Sequence, residues 1–112
     1  MSPQDDQARL RDMLDYARKA VEAIRGRSRR DLDQDVVLAA ALARFVEIIG
    51  EAAGRVSEER RVLAPGVPWR QMVGMRNRLI HGYGAVDLDV LWGVVHDDLP
   101  DLIARLHSEL DR

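Results

Sequence analysis

Residues 76 to 83 read Arg76-Asn77-Arg78-Leu79-Ile80-His81-Gly82-Tyr83. A permanent cation, an imidazole and a phenol stand within eight residues. His81 can take or give a proton near neutral pH. Arg76 can hold a phosphate through a planar two-pronged donor, and Tyr83 offers a hydroxyl beside both. An acid–base group and a phosphate clamp are enough to break an RNA strand without a metal, because the ribose 2′-hydroxyl supplies the nucleophile. An Arg followed five positions later by His is common by chance in an Arg-rich chain. Adding the Tyr makes the triple rare, on the order of one chance occurrence per hundred such chains.

On an ideal helix, Met72, Met75, Leu79 and Ile80 form one apolar face, and Arg76 falls in its middle. A guanidinium there needs a carboxylate, a phosphate or a water-filled groove. The bland reading is an ion pair with Glu47 or Glu51, of which Glu51 is the better placed. His81 lies about 140° round the same helix from Arg76, so the two do not converge if the helix is regular. Either the helix unwinds near His81, which Gly82 favours, or a second copy completes the site across a two-fold axis. Taken alone, His81 is also an ordinary helix C-terminal residue favoured by the dipole. Asn77 and Arg78 occupy other faces: Asn77 as a group that orients His81 or substrate, Arg78 as a contact to backbone phosphate or simply a solvated residue.

The elements that must position these residues read as helices throughout. Leu10, Met13, Leu14, Ala17, Ala20, Val21 and Ile24 recur at three- and four-residue steps, which predicts a helix from about Pro3 to Arg25, with Ser2 as its cap and Gly26 as its stop. A second helix is expected from Asp31 or Asp33 to about Val56, its stripe made by Val36, Val37, Ala40, Ala41, Ile48, Ile49, Ala52 and Val56. Gly50 in mid-helix calls for close packing against a neighbour. A third helix is expected from Trp69 to Ile80, stopped by Gly82 and Gly84. A fourth is capped by Asp87, and Pro100 kinks it or starts a fifth. No strand alternation is visible. The expectation is an all-α, antiparallel bundle of four to five helices, one domain over residues 1–112 that dimerises. The basic connector Arg25-Gly26-Arg27-Ser28-Arg29-Arg30 reads as a solvated loop or an RNA-steering patch.

Composition narrows the classes. The chain has 112 residues, no cysteine and a net charge of −2, which excludes disulfides and argues against indiscriminate nucleic-acid binding. Residues 1–84 carry a net +3 and residues 85–112 a net −5. His81, His96 and His107 are too scattered for a metal motif, so no metal and no cofactor are expected, and His96 and His107 read as surface residues. Trp69 and Trp92 read as core anchors. The N-terminus carries no signal-peptide pattern and the longest apolar run, 36 to 43, is too short to span a bilayer. A cytoplasmic protein without membrane contact is expected.

The Arg76…His81-x-Tyr83 pattern resembles the signature of HEPN-domain toxins of the HepT type. The likeness extends to Arg44-Phe45-Val46-Glu47-Ile48-Ile49-Gly50-Glu51-Ala52-Ala53, to the Pro68-Trp69 lead-in, and to Asp87-Leu88-Asp89-Val90-Leu91-Trp92 and Asp98-Leu99-Pro100-Asp101-Leu102. It covers roughly residues 8 to 106; residues 25–35 and 57–66 carry no family signal. The resemblance implies a HEPN-like bundle, a homodimer with a composite cleft, and a metal-independent endoribonuclease toxin with Arg76 and His81 as catalytic residues. It also implies a nucleotidyltransferase antitoxin that attaches AMP to Tyr83. The competing reading is a non-catalytic helical dimer that serves as a scaffold for a nucleotidyltransferase. A nucleotide-binding regulator, with Arg76 on a phosphate, lacks a glycine-rich loop to support it.

Overall fold

Ser2 opens the first helix, α1 (Pro3–Ala23), with a capping box: its hydroxyl accepts from the Asp5 amide, and the Asp5 carboxylate accepts from the Ser2 amide. The structure is a computed structural model and describes residues 2–81 and 85–111, with His81 described by its main chain alone. Leu10, Met13, Leu14, Ala17 and Ala20 are buried along one side of α1, at the helical spacing the sequence predicts. Gly26 follows in the left-handed region at φ 74°, as a helix exit favours.

The second predicted helix is divided. A single turn, α2 (Asp31–Gln34), precedes α3 (Val36–Gly54). Asp35 is extended between them, and its carboxylate accepts from the Leu38 amide at 3.0 Å, so the cap is Asp35 rather than Asp31 or Asp33. The break moves the N-terminal part of the stripe, while Ile49, Ala52 and Val56 are buried as expected. Leu38, Leu42, Ala43, Val46, Ile49 and Ala53 are buried, while Val36 and Val37 are 78% and 75% exposed. In the basic connector, Arg25 pairs with Glu22, Arg27 with Asp35, and Arg29 with both Asp33 and Asp89. Most of its cations are thus already matched by carboxylates, as the solvated-loop reading expects.

The segment after α3 is held by polar ties. In α4 (Glu58–Val62), Ser57 is the cap and also donates its hydroxyl to the buried Asp6 at 2.6 Å, while its amide donates to the same carboxylate at 2.8 Å. Burial raises the Asp6 carboxyl, but the bonds from Ser57 and the nearby Arg60 outweigh it and leave its pKa below the ordinary 3.8. Arg60 bonds Glu109 at 3.1 Å, and both side chains are largely buried. Arg61 donates to the carbonyls of Ala53 and Val56 at the end of α3, and its guanidinium covers the Trp69 ring. The Trp69 indole N–H donates to the Ala64 carbonyl at 3.0 Å. These ties fix where the next helix starts.

That next helix is also divided, at Gly74: α5 (Trp69–Val73) and α6 (Met75–Leu79). A two-residue antiparallel pairing follows, β1 (Ile80–His81) with β2 (Ala85–Val86), in the register Ile80 to Val86 and His81 to Ala85. No strand alternation in the sequence announced it, since two residues are too few to alternate. Asp87 then caps α7 (Leu88–Gly93) by accepting from the Val90 amide. A wide turn over Val94–Asp98 bonds the Leu99 amide to the Val94 carbonyl, five residues back. Pro100, which has no amide hydrogen, sits in the first turn of α8 (Leu99–Leu110); it thus starts the last helix.

The most extensive contacts are between α1 and α3, then α1 and α8, with α5 against α3. The core is aliphatic, with Met13, Met72 and Met75 as its gap fillers. Trp69 and Trp92 pack against it half-buried. The molecule is all-α apart from the short hairpin. Among the described residues, no helix is long and apolar enough to cross a membrane.

Candidate active site

The motif occupies a corner where helix gives way to strand. Arg76, Asn77 and Arg78 follow one another on α6, all three exposed, while Met75 and Leu79 beneath them are buried. Ile80 turns the backbone extended, at φ −104° and ψ 121°. The Leu79 carbonyl accepts from the Asp87 amide at 2.6 Å, which ties the two ends of the hairpin together. His81 therefore begins from a strand and not from the helix that carries Arg76. The 140° separation expected of a regular helix does not apply: the chain unwinds before His81, and one residue earlier than Gly82 alone would require. The His81 side chain and Tyr83, with Gly82 and Gly84, lie outside the described residues.

Two residues fix the pose of this corner. Gly50 on α3 lies so close to α5 that a Cβ there would stand 2.9 Å from the Met72 carbonyl oxygen. This is the close packing that the mid-helix glycine calls for. At Gly74 the helix breaks, and an added Cβ would meet the Arg70 carbonyl at 3.2 Å.

The break at Gly74 corrects the expected surroundings of Arg76. On an unbroken helix it would project from the apolar face; in the structure Met72, Met75 and Leu79 are buried and Arg76 is exposed. Among the described residues it makes no ion pair. Glu51 is not its partner: Glu51 stands 3.5 Å from Arg44, and Glu47 stands 3.3 Å from the same guanidinium. Glu47 lies one helical turn from Arg44 on α3 and Glu51 two turns, so both carboxylates meet that guanidinium along one side of the helix. The guanidinium of Arg76 is left open to an anion from solution.

The remaining histidines are exposed. His96 stacks on Trp92 at 5.3 Å between centroids and bonds Asp97 at 2.7 Å; His107 meets Arg18. A groove of about 610 Å³ opens on the other side of the motif, between Pro68, Gln71, Met72 and Arg78 on one wall and Asp98 and Arg105 on the other. It was not apparent in the sequence, because its walls meet only through the wide turn at 94–98. Pro100 was the one local sign of an irregularity there.

The sequence also matches known proteins. A family model described as "Ribonuclease HepT-like" matches residues 13–108. The chain is 36% identical over 102 residues to "Putative RNase MJ1380" of Methanocaldococcus jannaschii, covering 91% of this chain and 94% of that protein. It is 36% identical to "Putative RNase TTE0752" of Caldanaerobacter subterraneus subsp. tengcongensis, covering 92% of each. It is 38% identical to "Probable ribonuclease HepT" of Thermococcus cleftensis, covering 88% of this chain and 93% of that one. No solved structure gives a significant match. The family model covers most of the chain and these relatives are aligned over nearly their whole length, so the chain belongs to the HepT-like ribonuclease family.

Proposed function

We propose that the protein is a metal-independent endoribonuclease that acts as the toxin of a toxin–antitoxin pair. The observation that carries this reading is an exposed Arg76 on α6, without an ion pair among the described residues, five residues before His81 on the following strand and inside the span matched by the family. The ribose 2′-oxygen attacks the adjacent phosphorus while His81, or its copy in a second chain, takes the 2′-proton. The bond from phosphorus to the 5′-oxygen breaks, and that oxygen takes its proton from the imidazolium so formed or from water. The products are a 2′,3′-cyclic phosphate and a 5′-hydroxyl. Arg76 stabilises the added charge on the pentacoordinate phosphorus. Asn77 and Glu51 support the site at most from its edge, since Glu51 is engaged with Arg44.

Two copies complete the cleft in this reading. Val36 and Val37 stand exposed at the start of α3, beside an apolar groove lined by Leu32, Ala40, Val86 and Leu88. Val86 belongs to the hairpin that carries His81, so a second copy seated there lies next to the motif. A nucleotidyltransferase antitoxin that transfers AMP from ATP to the Tyr83 hydroxyl, with release of pyrophosphate, would add an anionic group seven residues from Arg76 in the chain, one able to compete with RNA for the clamp. Mass spectrometry of protein co-expressed with that partner tests the modification, and unmodified Tyr83 counts against it.

The purified protein should cleave single-stranded RNA in EDTA. His81→Ala and Arg76→Ala should each lower the rate by about 10²-fold or more with helicity unchanged. Cleavage that needs magnesium, or a His81→Ala protein that cuts at the native rate, overturns the mechanism. A scaffold without chemistry would show no cleavage and no growth arrest dependent on Arg76 and His81.

A further inference from the structure

The groove beside the motif contains two charges that no other described residue pairs. Arg78 projects from α6 two residues beyond Arg76, and Asp98 faces the same space from the end of the wide turn. Among the described residues neither makes an ion pair. Asp98 occupies the cap position of α8, yet its carboxylate makes no capping bond. By contrast, Arg105 and Asp101 neutralise each other at 2.8 Å, and Asp97 is engaged by His96 at 2.7 Å. The groove thus presents one free guanidinium and one free carboxylate, with the Gln71 amide at its edge. Pro68 and Met72 supply an apolar lining.

A phosphate tract is ruled out by this chemistry, because a carboxylate repels a phosphodiester and the groove as a whole is not basic. A nucleobase meets it better. Guanine presents two adjacent acceptors, O6 and N7, which suit a guanidinium fork. Its N1–H and 2-amino group are two adjacent donors, which suit a carboxylate. Adenine offers no such donor pair, and uracil offers a single N–H. Single-stranded RNA is read in this way, with a base turned out of the strand and bonded along its edges. The groove volume, about 610 Å³, lies within the usual range for small-ligand pockets. Arg76 and Arg78 are separated by about one helix width, ~10–12 Å, a span that a short stretch of extended strand covers.

We infer that this groove is a base-reading subsite, in which Arg78 and Asp98 select a guanine close to the phosphate held at Arg76. The inference rests on the ribonuclease reading above for its orientation along the strand. Binding tests it without cleavage. Oligouridines made uncleavable by 2′-O-methyl groups, each with one central guanine, inosine or adenine, are titrated against the full chain by fluorescence anisotropy. Guanine should bind about tenfold more tightly than adenine, and inosine, which lacks the 2-amino group, should fall between them. Asp98→Asn and Arg78→Ala, each checked for native helicity by circular dichroism, should bring the guanine-to-adenine ratio to about one. Equal binding of guanine and adenine by the native protein overturns the inference, and so does a preference that survives both substitutions. The unmodified oligonucleotides are assayed for cleavage in parallel. A guanine preference without cleavage refutes the ribonuclease reading alone; cleavage without a preference refutes the subsite alone.

Discussion

Asp6 shows how a single buried carboxylate carries structure in this protein. It is 5% exposed, lies in the first turn of α1, and takes both hydrogen-bond donors of Ser57. Its folded pKa lies below the unfolded value near 3.8. The stability it contributes is therefore present above that value and is lost as pH falls through the folded pKa. Asp6→Ala should cost about 1–3 kcal/mol at neutral pH, because it leaves the Ser57 amide without its acceptor. In urea titrations the variant should also lack the share of the decline below pH 3.8 that Asp6 causes in the native protein; an identical acid limb in both proteins would sink this account. The residue types of the candidate site were visible in the sequence: Arg76, His81 and Tyr83 need only spacing to stand out. The environment of Arg76 was not. It stands exposed on a short helix that follows a break at Gly74, which side-chain periodicity cannot see, and Glu51 pairs with Arg44 on its own helix.

The helices were mostly visible as periodic stripes, and the differences arise where backbone events overrule periodicity. Ser2, Gly26 and Asp87 act as expected because caps and stops are local chemistry. The division at Asp35 turned Val36 and Val37 outward, and the division at Gly74 ended the helical run before Ile80. The 57–68 segment showed no pattern because polar contacts from distant residues hold it: Asp6, Glu109 and the carbonyls of α3. Gly50 supplies a test at this level. Gly50→Ala gains about 1 kcal/mol of helix propensity, but its methyl group meets the Met72 carbonyl at 2.9 Å. The clash should win, with a net loss on the order of 1–2 kcal/mol in chemical denaturation and slower RNA cleavage because α5 is displaced. A variant as stable as the native protein would show that the α3–α5 contact is looser than the structure has it.

The chain measures 42 × 31 × 19 Å, which is about two helices thick in its thinnest direction. A domain this thin and this small buries only about two-thirds of its unfolded surface, and it leaves Val36 and Val37 in solvent. A second copy covering that face would add apolar burial and bring two motifs together. On the proposed dimer, Val37→Asp should give a monomer in sedimentation equilibrium where the native chain gives a dimer, and should lower cleavage by tenfold or more. Full activity from a monomeric variant would place a complete site within one chain.

At Gly50 the long helix and the motif's lead-in touch backbone to backbone. A side chain can absorb a small displacement by changing rotamer, but a peptide carbonyl against a Cα hydrogen has no such slack. The lead-in can tilt only if α3 tilts with it, and α3 is clamped along its length to α1. The lead-in to Arg76 is thus anchored, through α5, on the most extensively joined pair of helices in the protein, although α5 and α6 have only five residues each.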